Sequence, residues 1–336
     1  MSSARILTVL LLICATVARV EGARQTTALR IALIGFVDGS VAGEQTTTGS
    51  GVEATLEAAL KRDARASLIE RSQLQPALSG IGYQGSVNMT RNEARGLGAA
   101  IGCDFFIIGK KDVSTRSQAK NESHEEALIG VMIVDGRTGA LAAFDFLSAR
   151  AATKEAALAA VMKELESRAR NYVDRMNEYR AAREAMDRSN AAGSEHIEDV
   201  PDAESALGAG FEPPGFSNRV KPEYTEAAER ADVSAIVEAV AVFRANGEIG
   251  DVQIIRWAGF GLDESAETAI RKLNFKPATR DGKAISVRAT VRYNFRRTDK
   301  TGGDEPAAKP QEPSVPDLRK YFKPGHRPLL IQANRL

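Results

Sequence analysis

The chain has 336 residues, a length that fits two modest domains, each long enough to bury a core of its own. Charged residues make up 26% and apolar residues 43%, as is usual in globular proteins. The formal net charge is only +1, so the chain as a whole has no electrostatic attraction to nucleic acid or anionic lipid, and the composition argues against those classes of binder.

Residues 1–22 have the pattern of a secretory signal peptide. The apolar stretch Ile6–Val17 is shorter than the roughly 20 residues that a membrane-spanning helix needs, and Gly22 supplies a small residue for cleavage. The pattern therefore predicts an exported, periplasmic protein. The alternatives are that residues 6–18 stay in place as an inner-membrane anchor, or that Cys14 is lipidated.

Residues 23–188 alternate between strand and helix patterns, which predicts an N-terminal α/β domain with a mixed sheet and a long closing helix. Thr90 and Glu93 match a capping box, so a helix should begin there. In chain order, the pattern predicts strands over Leu29–Phe36, Ser67–Glu70, Cys103–Gly109, Ala127–Val134 and Ala140–Ala149, helices around Val52–Leu60, Ser72–Leu78 and Glu93–Ile101, and the closing helix over Lys154–Asp187.

This N-terminal domain carries two phrases that are found together in one class of envelope protein. The first, Glu-Ala-x-x-Leu-Gly-x-x-x-Gly-x-Asp-Phe-x-Ile-x-Gly, runs from Glu93 to Gly109, and the second, Asp-x-x-Thr-Gly, runs from Asp135 to Gly139. The domain thereby resembles periplasmic domains of the curli-secretion lipoprotein class. That resemblance implies a role in envelope assembly or scaffolding.

A proline-rich segment, residues 189–215, predicts a flexible linker to a second domain over residues 216–297. In this domain the pattern predicts a helix, a hairpin, a second helix and a last strand, which together give a three-stranded antiparallel sheet packed on helices. The predicted elements are a helix over Thr225–Ala231, strands over Ala235–Arg244 and Ile249–Trp257 joined at Asn246-Gly247, a helix over Leu262–Leu273, a turn at Asp281-Gly282 and a strand over Ile285–Phe295. The overall fold class is thus a two-domain α+β protein.

The second domain resembles the TonB C-terminal domain family. Four spaced phrases carry the resemblance: Pro-x-Tyr-x-x-x-Ala, Asn-Gly-x-Ile-x-x-Val, Gly-Leu-Asp-x-x-Ala-x-x-Ala-Ile and Phe-x-Pro-Ala-x-x-Asp-Gly. They are supplied here by Pro222, Tyr224 and Ala228, by Asn246, Gly247, Ile249 and Val252, by Gly261, Leu262, Asp263, Ala266, Ala269 and Ile270, and by Phe275, Pro277, Ala278, Asp281 and Gly282.

The resemblance implies a binding site at the edge of the sheet. In the TonB family this edge takes up a short extended segment of an outer-membrane receptor as an added strand, in the service of energised transmembrane transport. Carried over to this chain, the edge is the last strand, with arginines flanking it; the alternative is an ordinary solvated strand whose arginines protect the edge from aggregation. The residues implied are Ile285, Val287, Arg288, Ala289, Val291, Arg292, Tyr293 and Arg296.

The sequence predicts no enzyme, no cofactor and no metal site. Gly80–Gly85 matches G-x-G-x-x-G but follows a helix pattern, which indicates a loop, and the three histidines are scattered through polar segments. We expect a protein partner in the envelope or outer membrane rather than nucleic acid or a small molecule. The alternative function is a structural envelope-assembly component that acts through the first domain. Residues 298–336 predict a disordered, basic tail, which either frays or docks on a partner.

Overall fold

A computed structural model describes residues 28–39, 46–47, 51–118, 122–190, 197–200, 210–297 and 330–332. Its N-terminal domain is built on a six-stranded sheet in the order β2-β1-β4-β5-β6, with β3 paired to β1. The strands are β1 Leu29–Asp38, β2 Thr46–Thr47, β3 Ala66–Leu68, β4 Phe105–Gln118, β5 Glu122–Asp135 and β6 Leu141–Ala151, and the helices are α1 Gly51–Lys61, α2 Arg71–Gly80, α3 Arg91–Ile101, α4 Lys154–Ala169 and α5 Tyr172–Asn190.

Two predictions for this domain need correction. The strand predicted over Cys103–Gly109 extends as β4 to Gln118, because antiparallel pairing with β5 continues through polar residues for which no element was predicted. The closing helix breaks after α4, where the amide of Asn171 donates to the carbonyl of Arg168 and a new helix begins. Asparagine is a poor residue for a helix interior and a good one for a helix start, which accounts for the break.

The predicted capping box is confirmed and fixes the start of α3. The Thr90 hydroxyl accepts from the amide of Glu93 at 3.2 Å, and the Glu93 carboxylate accepts from the amide of Thr90 at 2.7 Å. The helix ends at Gly102, which adopts the left-handed conformation with φ 71°. Cys103 follows and is buried, as a small apolar residue would be.

The C-terminal domain is the predicted three-stranded antiparallel sheet, in the order β11-β10-β15, packed against a helix. The α+β fold class with two domains is therefore confirmed. Its strands are β8 Phe211–Glu212, β9 Gly215–Phe216, β10 Ala235–Phe243, β11 Ile249–Arg256, β12 Phe275–Lys276, β13 Ala278–Arg280, β14 Lys283–Ile285 and β15 Val287–Phe295; its helices are α6 Glu226–Arg230 and α7 Leu262–Arg271.

Two further short strands reach the C-terminal sheet from segments predicted to be linker and tail. β7 (Glu198–Asp199) and β16 (Leu330–Gln332) both pair with β15, and both run parallel to it. In the same predicted linker, Phe211–Glu212 pairs with β13. The boundaries of the two domains remain predictions.

The predicted signal peptide and most of the tail lie outside the described residues. Among the described residues, no helix is long and apolar enough to cross a membrane.

The two domains pack together through one continuous apolar core. One face of the six-stranded sheet is covered by α1, α4 and α5. Its other face meets α2, α3 and the C-terminal domain, where the ring of Phe260 lies 4.8 Å from that of Phe144 and 5.8 Å from that of Phe146. Gly130 on β5 makes room for this ring, because a Cβ there would lie 2.7 Å from Cζ of Phe260.

Polar groups fix how the two domains are docked. The side-chain amide of Asn88 donates to the carbonyls of Ile236 and Trp257, at 2.9 and 2.7 Å, and its oxygen accepts from the amide of Ile236. The indole of Trp257 donates to the carbonyl of Gly139 at 3.0 Å. These bonds cross from the first domain to the second and satisfy backbone groups that burial would otherwise leave unpaired.

A buried ion pair adds to the domain contact. Glu126 is 1% exposed and accepts from Arg150 at 3.0 Å and from Arg230 on α6 at 2.5 Å. Burial by itself would raise the pKa of Glu126, but the two guanidiniums outweigh it and hold that pKa below its ordinary value. The carboxylate therefore stays charged and links the first domain to α6.

Candidate partner-binding edge

The candidate site is the outer edge of β15, the side that faces away from β10. Along its whole length β15 pairs with β10, from Val287 opposite Phe243 to Phe295 opposite Ala235. Side chains alternate along the strand: Val287, Val291 and Tyr293 are buried against the core, whereas Arg288 is exposed. The strand is therefore held firmly on one side, with the other side left for pairing.

Backbone bonds identify which residues present their polar groups to the outer edge. The carbonyl of Ser286 accepts from the amide of Glu198, and the carbonyl of Arg288 accepts from the amide of Val200. Because backbone orientation alternates with a period of two, Thr290 and Arg292 face the same way. The amides and carbonyls of these even-numbered residues are the groups that an added strand would engage.

Two extended segments of the chain itself lie on this edge. Glu198 and Asp199 pair with Val287 and Arg288, and Leu330–Gln332 pairs with residues 290–292. Each segment is only two or three residues long and parallel to β15. The edge thus engages short extended segments whose origin is remote in sequence.

The charged side chains beside the edge already have partners of opposite sign. The Arg288 guanidinium lies 3.4 Å from the Asp199 carboxylate, and that of Arg292 lies 3.6 Å from Glu238, which also pairs with Arg256. The exposed pair of Arg288 with Asp199 contributes little to stability, whereas the Glu238 carboxylate between Arg292 and Arg256 is partly buried. Arg288 thus provides a positive charge beside the edge, suited to a segment that carries an acidic residue, as β7 does with Asp199.

Tyr293 lies on the buried side of the site. Its side chain is 1% exposed, and among the described residues its hydroxyl has no hydrogen-bond partner. Burial raises the pKa of Tyr293 to about 12, so the phenol stays neutral. Tyr293 therefore belongs to the core that supports the strand rather than to the surface that a partner would touch.

The remaining site residues predicted from the sequence do not all share one strand. Val287, Ala289 and Val291 share the buried face of β15, and Thr290, which the sequence reasoning left out, presents backbone groups to the outer edge. Ile285 lies instead on β14, opposite Ala278, since the strand is interrupted at Ser286. Arg296 follows the last residue of β15.

The sequence also did not predict that β7 and β16 pair with the edge. The one sequence feature that points to the pairing of β16 is the apolar run Leu329–Ile331 within an otherwise polar tail. As for other chemistry, the described residues contain no group of three or more potential metal ligands. His124, predicted to lie in a loop, is on β5.

Three solved structures match parts of this chain at low sequence identity. The C-terminal domain of TonB from Pseudomonas aeruginosa matches 32% of this chain and 100% of its own at 18% identity, with a TM-score of 0.24. The LpoB C-terminal domain from Escherichia coli matches 37% and 83% at 15% identity, with a TM-score of 0.26. The hypothetical protein CT253 from Chlamydia trachomatis matches 44% and 98% at 12% identity, with a TM-score of 0.29. No functional assignment rests on likenesses of this size.

The family comparison is specific to the second domain. None of the curated proteins matches the chain. Residues 220–296 match the family model described as Gram-negative bacterial TonB protein C-terminal, and this match confirms the resemblance predicted from the motifs of the second domain.

Proposed function

We propose that this protein is an exported, periplasmic binding protein that takes up a short extended segment of an envelope or outer-membrane protein as an added strand on the outer edge of β15. The observation that carries the proposal is that two remote segments of the chain pair with this edge in parallel. Backbone groups supply the affinity of such pairing, and side chains beside it supply selectivity.

In this proposal the partner segment replaces Leu330–Gln332. Pairing at Thr290 and Arg292 involves only three residues, so the tail contributes few hydrogen bonds and is easily displaced. A partner strand long enough to run from residue 290 to residue 294 gains more bonds than the tail does. The tail then keeps the edge from pairing with other copies of the chain until the partner arrives.

Crosslinking in cells tests the proposal. A photoreactive residue at Arg292 should capture a defined envelope protein, whereas one at the exposed Asp251 on β11, at the opposite edge of the sheet, should not. Arg292→Pro, which removes an amide facing the outer edge, should reduce capture at position 290 at least tenfold; Arg292→Ala, which keeps that amide, should not. Equal capture by both variants would rule out strand addition.

The same experiment addresses the alternative function. If photoreactive residues on the exposed surface of the first domain capture envelope proteins and those at positions 290 and 292 capture none, the envelope-assembly role of the first domain replaces the proposal. Capture from β15 alone supports it.

A further inference from the structure

Between the first domain and strand β11 of the second lies a cleft of about 580 Å³ that is lined by four arginines and no carboxylate. Arg91 and Arg95 come from α3, Arg137 from the β5–β6 turn and Arg183 from α5. Gln253 and Ile255 on β11 form the opposite wall. We refer to this space as the arginine cleft.

The packing of two sequence motifs against each other, Glu93–Gly109 and Asp135–Gly139, brings these arginines together. A Cβ at Gly98 would lie 2.3 Å from the carbonyl oxygen of Gly136, and one at Gly139 would lie 1.9 Å from that of Arg91. Helix α3 therefore lies directly on the β5–β6 turn, and only glycines permit the approach. Asp135 shapes the turn by accepting from the amides of Arg137 and Thr138.

The positive charge in the cleft is mostly uncompensated. Arg183 is paired with Asp135 at 2.8 Å and with Asp187 at 3.5 Å, but among the described residues Arg91, Arg95 and Arg137 form no ion pair, and Arg95 donates to the neutral side chain of Asn92. Burial is the largest influence on the pKa of Arg91 and lowers it; the like charges of Arg183 and Arg95 also lower it, whereas Tyr179 and Asp135 act in the opposite direction. Arg91 is half-buried, whereas Arg95 and Arg137 are exposed; together they place three like charges along one cleft, which favours a bound anion.

We infer that the arginine cleft binds a ligand that carries two neighbouring phosphate groups. Guanidinium forks bind phosphate oxygens in pairs, and three uncompensated positive charges match the charge of about −3 to −4 of two phosphates better than that of one carboxylate. The phosphates belong either to a soluble diphosphate or to the headgroups of an anionic lipid. This site is separate from the outer edge of β15 and does not depend on its function.

Titration calorimetry with inorganic pyrophosphate on the full chain tests the inference. Arg91→Gln together with Arg137→Gln should weaken binding at least about tenfold, since each removes a charge-assisted contact. Arg170→Gln, at an exposed arginine outside the cleft, should bind like the unaltered chain. Trp257 gives a second readout, because it is the only tryptophan of the chain and lines a neighbouring cavity together with Arg91.

Flotation with vesicles separates the two sources of phosphate. Pyrophosphate binding that depends on the arginines identifies a soluble diphosphate, whereas arginine-dependent flotation with phosphatidylglycerol vesicles, but not with phosphatidylcholine, identifies a lipid headgroup. Should the double variant be unfolded by circular dichroism, Arg95→Gln alone provides the comparison. No binding by the unaltered chain in either assay, or equal binding by the folded variant, would overturn the inference.

Discussion

At the scale of single residues, Asp263 combines burial with a structural task. It is 8% exposed, and its two carboxylate oxygens accept from the amides of Ala258 and Gly259, both at 2.9 Å. Burial raises the pKa of Asp263 to about 7, against the two backbone bonds, which lower it. The residue therefore holds the loop before α7 and titrates near neutral pH.

This raised pKa predicts a pH dependence of stability. The folded chain binds a proton at Asp263 that the unfolded chain, with a pKa of 3.8, has already lost. The proton's contribution to the free energy of unfolding is complete below about pH 4. It then falls by on the order of 1 kcal/mol per pH unit until about pH 7. Urea unfolding at pH 5 and pH 7 should show the fall in the unaltered chain and a flatter profile in Asp263→Asn; identical slopes would refute the assignment.

Substitution by alanine should have opposite effects on the stability of the fold at two glycines of the first domain. At Gly139, φ is +68° and a Cβ would meet the carbonyl of Arg91, so Gly139→Ala should cost about 3 kcal/mol or more. At Gly96, in the interior of α3, a Cβ meets nothing within 4 Å, and Gly96→Ala should stabilise by about 0.5–1 kcal/mol. Thermal unfolding of the two variants measures both effects. A tolerated alanine at Gly139 would contradict the close packing of α3 on the turn.

At the scale of elements, periodicity predicted most of the fold. The strict alternation of β15 and the glycine-closed helix α3 appear as expected, because local sequence and burial agree there. The positions of the turns were predicted, but the backbone conformation of one of them was not. At the turn between β13 and β14, Asp281 and Gly282 both have positive φ. At the turn between β10 and β11 only Gly247 does, because that turn begins at Arg244, one residue before the start that Asn246-Gly247 as the two central residues would require, and Gly247 follows it as a bulge.

Pairings between remote segments were not predictable in this way. Nothing periodic marks Glu198–Asp199 or Leu330–Gln332 as strands, since each is too short to show alternation. Asn88 likewise carries no local signal for its contacts with residues 236 and 257. The candidate edge was therefore predicted as a strand, but its present occupants were not.

The contacts of Asn88 give a prediction at this scale. Asn88→Ala leaves two carbonyls and one amide of the second domain without their partner, and should cost about 2–4 kcal/mol. Asn92→Ala, at an exposed asparagine four residues further on, should change stability by less than about 0.5 kcal/mol. Urea unfolding compares the two. Equal effects would mean that Asn88 does not join the domains.

At the scale of the whole molecule, the shared core predicts that the two domains unfold together. Phe260, Trp257 and the ion pair of Glu126 with Arg230 all cross the contact. Trp257 emission, which reports the contact, and far-ultraviolet circular dichroism, which reports all helices, should give coincident thermal transitions. Two separated transitions would show that the domains are independent and that the continuous core does not couple them.

The outer edge of β15 remains the central feature, and amide hydrogen exchange tests it most directly. Removing residues 330–336 should speed exchange at the amides of Thr290 and Arg292, which face the outer edge, and leave that of Val291, which faces β10, unchanged. Adding a synthetic peptide of residues 327–334 should restore the protection. If Thr290 and Arg292 exchange at the same rate with the tail, without it and with the peptide, the edge does not accept a strand and the proposed function is wrong.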